Sequence, residues 1–340
     1  MDCLLPSTRI AREPDSRLTD TLGRKINYLR LSVTDRCNLR CRYCMREEAS
    51  FLPKSDVLSL EELERLAAAF IRLGVRKLRL TGGEPLVRPG LMRLVERLGT
   101  LVGSGDLDEL TLTTNGTLLA DHAAALAAAG VRRVNVSLDT LDDLTFRHIT
   151  RHDGLAEVLR GIDAARAAGL AVRINVVALA GINDAEFDKM IGWCGEHGCD
   201  MALIEVMPVD AGAGQYLPLD LVQWHLASRW TLTPAPLPGR TDGPCRYWQV
   251  AETGQRLGFI TPMSHGFCAT CNRVRVTCTG RLVLCLGERG TVELRPALRG
   301  SEADGRLEAE ILAAIAGKPA GHDFGGARCA GGQRMWQLGG

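Results

Sequence analysis

The chain has 340 residues, enough for one large domain, alone or with a smaller appendage, around a well-buried core. Its 41 Lys and Arg against 40 Asp and Glu leave a net charge of +1. That excludes bulk electrostatic attraction to nucleic acid or an anionic membrane, and any anionic ligand must be held by a local cluster of cations.

No apolar run approaches the roughly 18 residues of a transmembrane helix, and the stretch from Met1 to Arg24 lacks the apolar centre of a secretory signal. A cytoplasmic protein with a flexible N-terminal arm over residues 1–24 is expected. Twelve cysteines in such a chain argue for metal ligation rather than disulfides.

The first apolar alternation, Leu29 to Val33, reads as a strand and leads directly to Cys37, Cys41 and Cys44 at CxxxCxxC spacing. Thiolates are the usual protein ligands of a 4Fe-4S cluster, and three of them leave one iron without a protein ligand. Further β-rich runs follow at Lys77 to Leu80, Glu109 to Thr113, Arg133 to Leu138, Val172 to Val177 and Ala202 to Val206, alternating with amphipathic helices. The clearest helix has Ser59 and Glu62 placed for a capping box. Its Leu60, Leu63, Ala67 and Phe70 fall on one face, and Gly74 stands where a left-handed C-cap would end it.

Six βα units imply a parallel sheet with right-handed crossovers, too few to close an eight-stranded barrel. The expected fold is therefore α/β, an incomplete (β/α)6 TIM-type barrel over residues 25–230. Each unusual motif ends a strand: the cysteine triplet, Thr81-Gly82-Gly83-Glu84, Thr113-Thr114-Asn115-Gly116, Ser137-Leu138-Asp139 and Met207-Pro208. In a parallel barrel these converge on one mouth.

Beyond Trp230, Pro234, Pro236, Pro238 and Pro244 mark a connector into a smaller α+β region, 231–340. It reads as two hairpins, Tyr247 to Ala251 with Leu257 to Thr261 and Val274 to Thr277 with Leu282 to Leu286. A helix near Leu307 to Ala316 and a tail ending in Gly339-Gly340 complete it. Cys268 and Cys271 form a CxxC turn, and Cys285 returns on the far hairpin strand. Spacing alone leaves an iron–sulfur cluster and a zinc site both open, since His265 could be a fourth zinc donor. The direction of Cys278 depends on the hairpin register. Arg273 and Arg275, two apart on a strand, share a face and offer planar forks to phosphate. No Walker GxxxxGKS/T motif is present, so a nucleotide would be gripped by arginines and strand ends. Cys3, Cys194, Cys199, Cys245 and Cys329 have no partner spacing and read as small apolar or surface residues, and His148 and His152 as structural.

The cysteine triplet with Tyr43 inside it and Thr81-Gly-Gly-Glu-Pro85 resembles the radical S-adenosylmethionine superfamily. The lead Thr34-Asp-Arg-Cys-Asn38, the run Phe267-Cys-Ala-Thr-Cys-Asn-Arg-Val-Arg275, Cys285 before Leu286 and the terminal Gly-Gly narrow the likeness to the GTP 3′,8-cyclase family of molybdenum cofactor biosynthesis, from about Arg24 to Gly340. That resemblance implies two 4Fe-4S clusters, on Cys37, Cys41 and Cys44 and on Cys268, Cys271 and Cys285. It implies S-adenosylmethionine beside Tyr43, Gly83, Ser137 and Met207, with Glu84 near the methionine amino group. GTP would be held by Arg30, Arg79, Thr113, Arg173, Arg273 and Arg275, with Gly339 and Gly340 inserted into the barrel. Arg173 stands where the family usually has lysine, and Arg46 where it commonly has proline.

The implied reaction begins with reductive cleavage of S-adenosylmethionine to a 5′-deoxyadenosyl radical. This takes hydrogen from C3′ of GTP, and the C3′ radical attacks C8 of guanine, giving 3′,8-cyclo-7,8-dihydro-GTP after reduction and protonation. An electron donor such as flavodoxin or ferredoxin, the downstream cyclic pyranopterin monophosphate synthase and a homodimer are the partners the likeness suggests. Rival readings are a two-cluster radical S-adenosylmethionine peptide-maturing enzyme and a zinc-bearing interaction protein.

Overall fold

The computed structural model describes residues 17–207, 214–235, 243–286, 290–322 and 335–338. The repeat runs β1 (Tyr28–Ser32), α1 (Leu60–Arg72), β2 (Lys77–Thr81), α2 (Leu91–Ser104), β3 (Glu109–Thr114), α3 (Leu119–Ala128), β4 (Arg133–Ser137), α4 (Asp143–Thr150), α5 (Leu155–Ala167), β5 (Ala171–Ala178), α6 (Phe187–Glu196) and β6 (Asp200–Glu205). There follow α7 (Leu219–Ala227), β7 (Leu232–Pro234), β8 (Arg246–Val250), β9 (Arg256–Ile260), β10 (Arg273–Val276), β11 (Arg281–Val283), β12 (Thr291–Glu293), α8 (Arg295–Gly300) and α9 (Gly305–Ala316). The local signals of α1 act as expected: Ser59 and Glu62 close a capping box, and Gly74 takes φ +118° just past the last turn.

β1 to β6 form a parallel sheet in sequence order, and all twelve strands lie in one sheet. The region after Trp230 continues that sheet at both sides. β9 pairs with β6 in parallel and carries β8 and β7, while β10 pairs with β1 in parallel and carries β11 and β12. Both expected hairpins form, but one strand of each also joins an edge of the sixfold unit. Sequence alone could not supply that non-local pairing.

Strands of a parallel sheet are usually apolar on both faces, because helices cover both. Here β1 reads Tyr-Leu-Arg-Leu-Ser, β2 Lys-Leu-Arg-Leu-Thr and β10 Arg-Val-Arg-Val. Leu29, Leu31, Leu78, Leu80, Val274 and Val276 belong to the main core, and the alternate positions form the other face. Alternation in a parallel strand means that one face has no helix on it.

The flexible arm expected over residues 1–24 is corrected at its inner end. Leu18 is fully buried, Thr19 bridges Lys25, and Asp20 pairs with Arg24 at 2.5 Å, so apolar burial and an ion pair hold the chain from there on. Residues 1–16, with Cys3, lie outside the described residues, as do Pro208, Pro236, Pro238, Cys329, Gly339 and Gly340. Among the described residues no helix is long and apolar enough to cross a membrane.

Candidate active site

The uncovered face of the sheet forms the wall of a cavity of about 250 Å³, lined at one end by Cys37, Cys41 and Cys44 and elsewhere by Arg30, Arg79, Thr113, Arg173, Arg273 and Arg275. A hollow of about 60 Å³ is lined by Cys268, Cys271 and Cys285, and Met207, Arg273 and Arg275 line both spaces. The two cysteine sets named from the sequence therefore each come together, with the arginines lining the space between them.

Register explains the arginines. Arg30 on β1 stands opposite Arg79 on β2 and Arg275 on β10, and Tyr28 stands opposite Lys77 and Arg273. Like charges directly opposite one another destabilise a sheet. Burial first, and then repulsion from neighbouring arginines, lowers the pKa of Arg30, Arg79 and Arg275. Among the described residues, seven cationic side chains line the cavity against a single carboxylate, Glu205. Glu205 is already committed, accepting from Met263 N at 2.8 Å and Ser264 N at 3.1 Å. Glu109 offsets part of the charge from the next strand, at 2.6 Å from Lys77 and 2.5 Å from Arg133. What remains calls for a polyanion. Tyr28 lies under Lys77 and Arg79, its ring centre 5.2 Å and 5.5 Å from their charged groups. Burial pushes its phenol up, but Arg79, Arg30, Lys77 and Arg273 outweigh that and bring it down to about 8.

The loop of the first cysteine set is tied to the end of α4. Arg40 N donates to Thr150 O and Arg42 N to Ile149 O, and Arg151, at φ +56°, donates to Arg40 O and Met45 O. Gly83 is packed against that loop. A β-carbon there would lie 2.8 Å from Asp35 O and closer still to Arg36 O, which only glycine allows. Tyr43, Gly83, Ser137 and Met207 all line the cavity.

Glu84 does not. It is fully buried behind the wall, accepting from Asn115 N at 2.6 Å, Thr114 Oγ1 at 2.8 Å and Leu86 N at 3.0 Å. Its oxygens hold the ends of β2 and β3 together.

Arg173 points its fork along the wall, Nε donating to Asn175 Oδ1 at 3.1 Å and Nη1 to the Tyr247 hydroxyl. Thr113 Oγ1 and Arg79 Nε are buried without a hydrogen-bond partner among the described residues. Near the chain end, Met335 lines the cavity and Arg275 Nη1 donates to Leu338 O at 3.4 Å. Trp336 packs edge-on against Phe51 with ring centres 5.9 Å apart.

The zinc alternative lacks its fourth donor at the second cysteine set. No described cysteine is in a disulfide, and among the described residues no three His, Cys, Asp or Glu groups are placed to hold one metal ion. His265, the fourth donor of the zinc alternative, instead sits 2.9 Å from Asp220 Oδ1. Cys278 is buried beside Ser32 and Asp35, away from both cavities. The sets differ electrostatically. Burial pushes the Cys37 thiol up to about 11 and Cys41 well above its usual range, whereas at Cys271 burial is outweighed by Lys318, Arg273 and Arg24 and the pKa falls.

Tyr28, Lys77, Arg133, Asn175 and Tyr247 also line the cavity and were not singled out from the sequence. Same-face spacing carried a signal for three of them, since Tyr28, Lys77 and Asn175 are two residues from Arg30, Arg79 and Arg173.

Comparison with known proteins gives two matched stretches. Residues 31–194 match the family model described as "Radical SAM superfamily", and residues 199–324 the one described as "Molybdenum Cofactor Synthesis C". The chain is 56% identical over 315 residues to a protein of Brucella canis named GTP 3′,8-cyclase, covering 92% of this chain and 91% of that one. It is 57% identical over 314 residues to one of the same name from Rhodopseudomonas palustris, covering 91% of each. Among solved structures, Streptococcus suis SuiB bound to S-adenosylmethionine matches with a TM-score of 0.59 at 17% identity, over 83% of this chain and 64% of that one, a likeness of fold. The chain belongs to the radical S-adenosylmethionine superfamily and, within it, to the family of these GTP 3′,8-cyclases.

Proposed function

We propose that the chain is a radical S-adenosylmethionine lyase converting GTP to (8S)-3′,8-cyclo-7,8-dihydroguanosine 5′-triphosphate, an early step of molybdenum cofactor biosynthesis. The observation that carries this reading is the cross-strand row Arg79, Arg30 and Arg275 in a cavity lined by one three-cysteine set, with Arg275 also lining the adjoining hollow of the other. Its scaffold is an incomplete (β/α)6 barrel, 25–230, with an auxiliary-cluster region over 231–340.

Cys37, Cys41 and Cys44 would hold one 4Fe-4S cluster and Cys268, Cys271 and Cys285 the other. When bound, these supply the electron that cleaves S-adenosylmethionine and an open iron for the guanine base. The residues do the rest. Tyr43, Gly83, Ser137 and Met207 border the S-adenosylmethionine end, where Gly83 lets the strand end pack against the cysteine loop. Arg30, Arg79, Arg173, Arg273 and Arg275 grip the triphosphate through charge-assisted forks, and the free Thr113 hydroxyl adds a neutral donor. Met335 borders the cavity near the chain end, on the side assigned to keeping water from the reacting carbons. Because Leu338 already meets Arg275, the succeeding Gly339 and Gly340 are assigned to ordering the site around GTP. The electron donor would be a flavodoxin or ferredoxin, the product would pass to cyclic pyranopterin monophosphate synthase, and the setting is cytoplasmic. A peptide-maturing activity would leave the arginine row without a role.

Anaerobic incubation of the reconstituted protein with dithionite, S-adenosylmethionine and each nucleoside triphosphate tests the reading. GTP should give strong 5′-deoxyadenosine formation and a cyclised product. An equal yield with ATP would overturn the assignment.

A further inference from the structure

Two buried cations from distant parts of the chain meet behind the second cysteine set. Arg24 donates through Nη1 to Cys268 O at 2.8 Å and Ala320 O at 3.1 Å, and through Nη2 to Pro319 O at 2.6 Å and Lys318 O at 3.3 Å. Lys318, 4% exposed, donates through Nζ to Arg273 O at 3.2 Å and to Leu284 O. One carbonyl lies two residues after Cys271 and the other immediately before Cys285. Between them the two side chains hold the backbone at all three cysteines.

Their charges are compensated differently. Arg24 is paired with Asp20 at 2.5 Å. Lys318 has no carboxylate partner among the described residues, and two neutral carbonyls do not neutralise an ammonium. A buried cation left like this is costly unless an anion stands near it. Three thiolates and the sulfides of a cluster would be that anion.

We propose that Lys318 is a positioning residue for the second cluster, fixing the spacing of the Cys271 and Cys285 strands and supplying the positive charge that offsets the cluster. The proposal rests on the reading that these cysteines carry iron and sulfide. Removing the charge disfavours the more negative, reduced state, so the midpoint potential should fall.

The experiment uses the full-length, anaerobically reconstituted protein and its Lys318→Met, Lys318→Gln and Lys318→Arg variants. Iron and sulfide per chain are measured, followed by a redox titration by electron paramagnetic resonance, with the first cluster's signal identified by its response to added S-adenosylmethionine. Lys318→Arg should keep wild-type metal content and midpoint. Lys318→Gln should keep the first cluster and shift the second by at least a tenfold change in the reduction equilibrium, about 59 mV for one electron, and Lys318→Met should lose the second cluster or shift it as far. Unchanged content and midpoint in Lys318→Met overturn the proposal; if that variant does not fold, equal midpoints in Lys318→Gln and Lys318→Arg overturn it. Failure of the underlying reading looks different. Wild-type protein would then hold about four irons rather than about eight, whatever stands at position 318.

Discussion

The Tyr43 hydroxyl donates to Asp139 Oδ2 across 2.8 Å, and Asp139 Oδ1 accepts from Val177 N at 2.8 Å. One carboxylate thus ties the first cysteine loop to the ends of β4 and β5. Burial raises Asp139 to about 6, against the hydrogen bonds that lower it. Tyr43→Phe leaves a buried oxygen short of a donor, at a cost of about 1–3 kcal/mol. The variant should retain GTP affinity but bind S-adenosylmethionine more weakly, which equilibrium binding of the two ligands would separate.

Glu84 gives a pH dependence of definite sign. Burial raises its pKa from 4.5 to about 7 despite three donors. The native chain therefore holds a proton that the unfolded chain releases between about pH 4.5 and 7. Glu84 contributes stability that is fully present below that window and is lost as pH rises through it. Denaturant midpoints of the cluster-loaded protein should fall across this range, and Glu84→Gln should flatten the slope. A slope unaltered by the substitution would contradict the account.

Gly83→Ala tests the close approach of the strand end to the cysteine loop. The added methyl group overlaps the Asp35 and Arg36 carbonyls, so the backbone must shift, at about 1–3 kcal/mol. Iron per chain should drop toward about four, the first cluster being the one lost. Full iron content would show that the loop can move aside without cost.

Arg173 and Tyr247 should behave as a coupled pair. Tyr247→Phe frees the guanidinium that the hydroxyl now orients, and a charge-assisted bond of about 1.5–3 kcal/mol implies a rise of tenfold or more in the KM for GTP. In an Arg173→Lys background the same change should matter little, because an ammonium does not need a fixed plane. A double-mutant cycle on GTP and guanosine measures the coupling. Equal losses for both ligands would point to a packing defect.

Local features were legible in the sequence because local physics determines them. The CxxxCxxC and CxxC spacings, the Ser59–Glu62 cap and the six strand–helix units appear where expected. Register was not legible: nothing near Arg30 in the chain says that Arg275 will stand beside it. The bonding of Glu84 was not legible for a related reason. A carboxylate after paired glycines looks free for a ligand until the strand that consumes it, bearing Thr114 and Asn115, is placed alongside. Lys318 carried no motif at all, and its position follows only from how the chain end packs on Leu284.

The pairing of β1 with β10 also has a consequence for synthesis. The Asn272 side chain donates to Asn27 Oδ1 across 245 positions of sequence. A nascent chain therefore displays Tyr28–Ser32 as a bare parallel edge until the segment Arg273–Val276 has left the ribosome, and β6 waits likewise for Arg256–Ile260. Such edges are templates for aggregation. Translation that stalls between β6 and β9 leaves a species with both edges open until the last quarter of the polypeptide arrives.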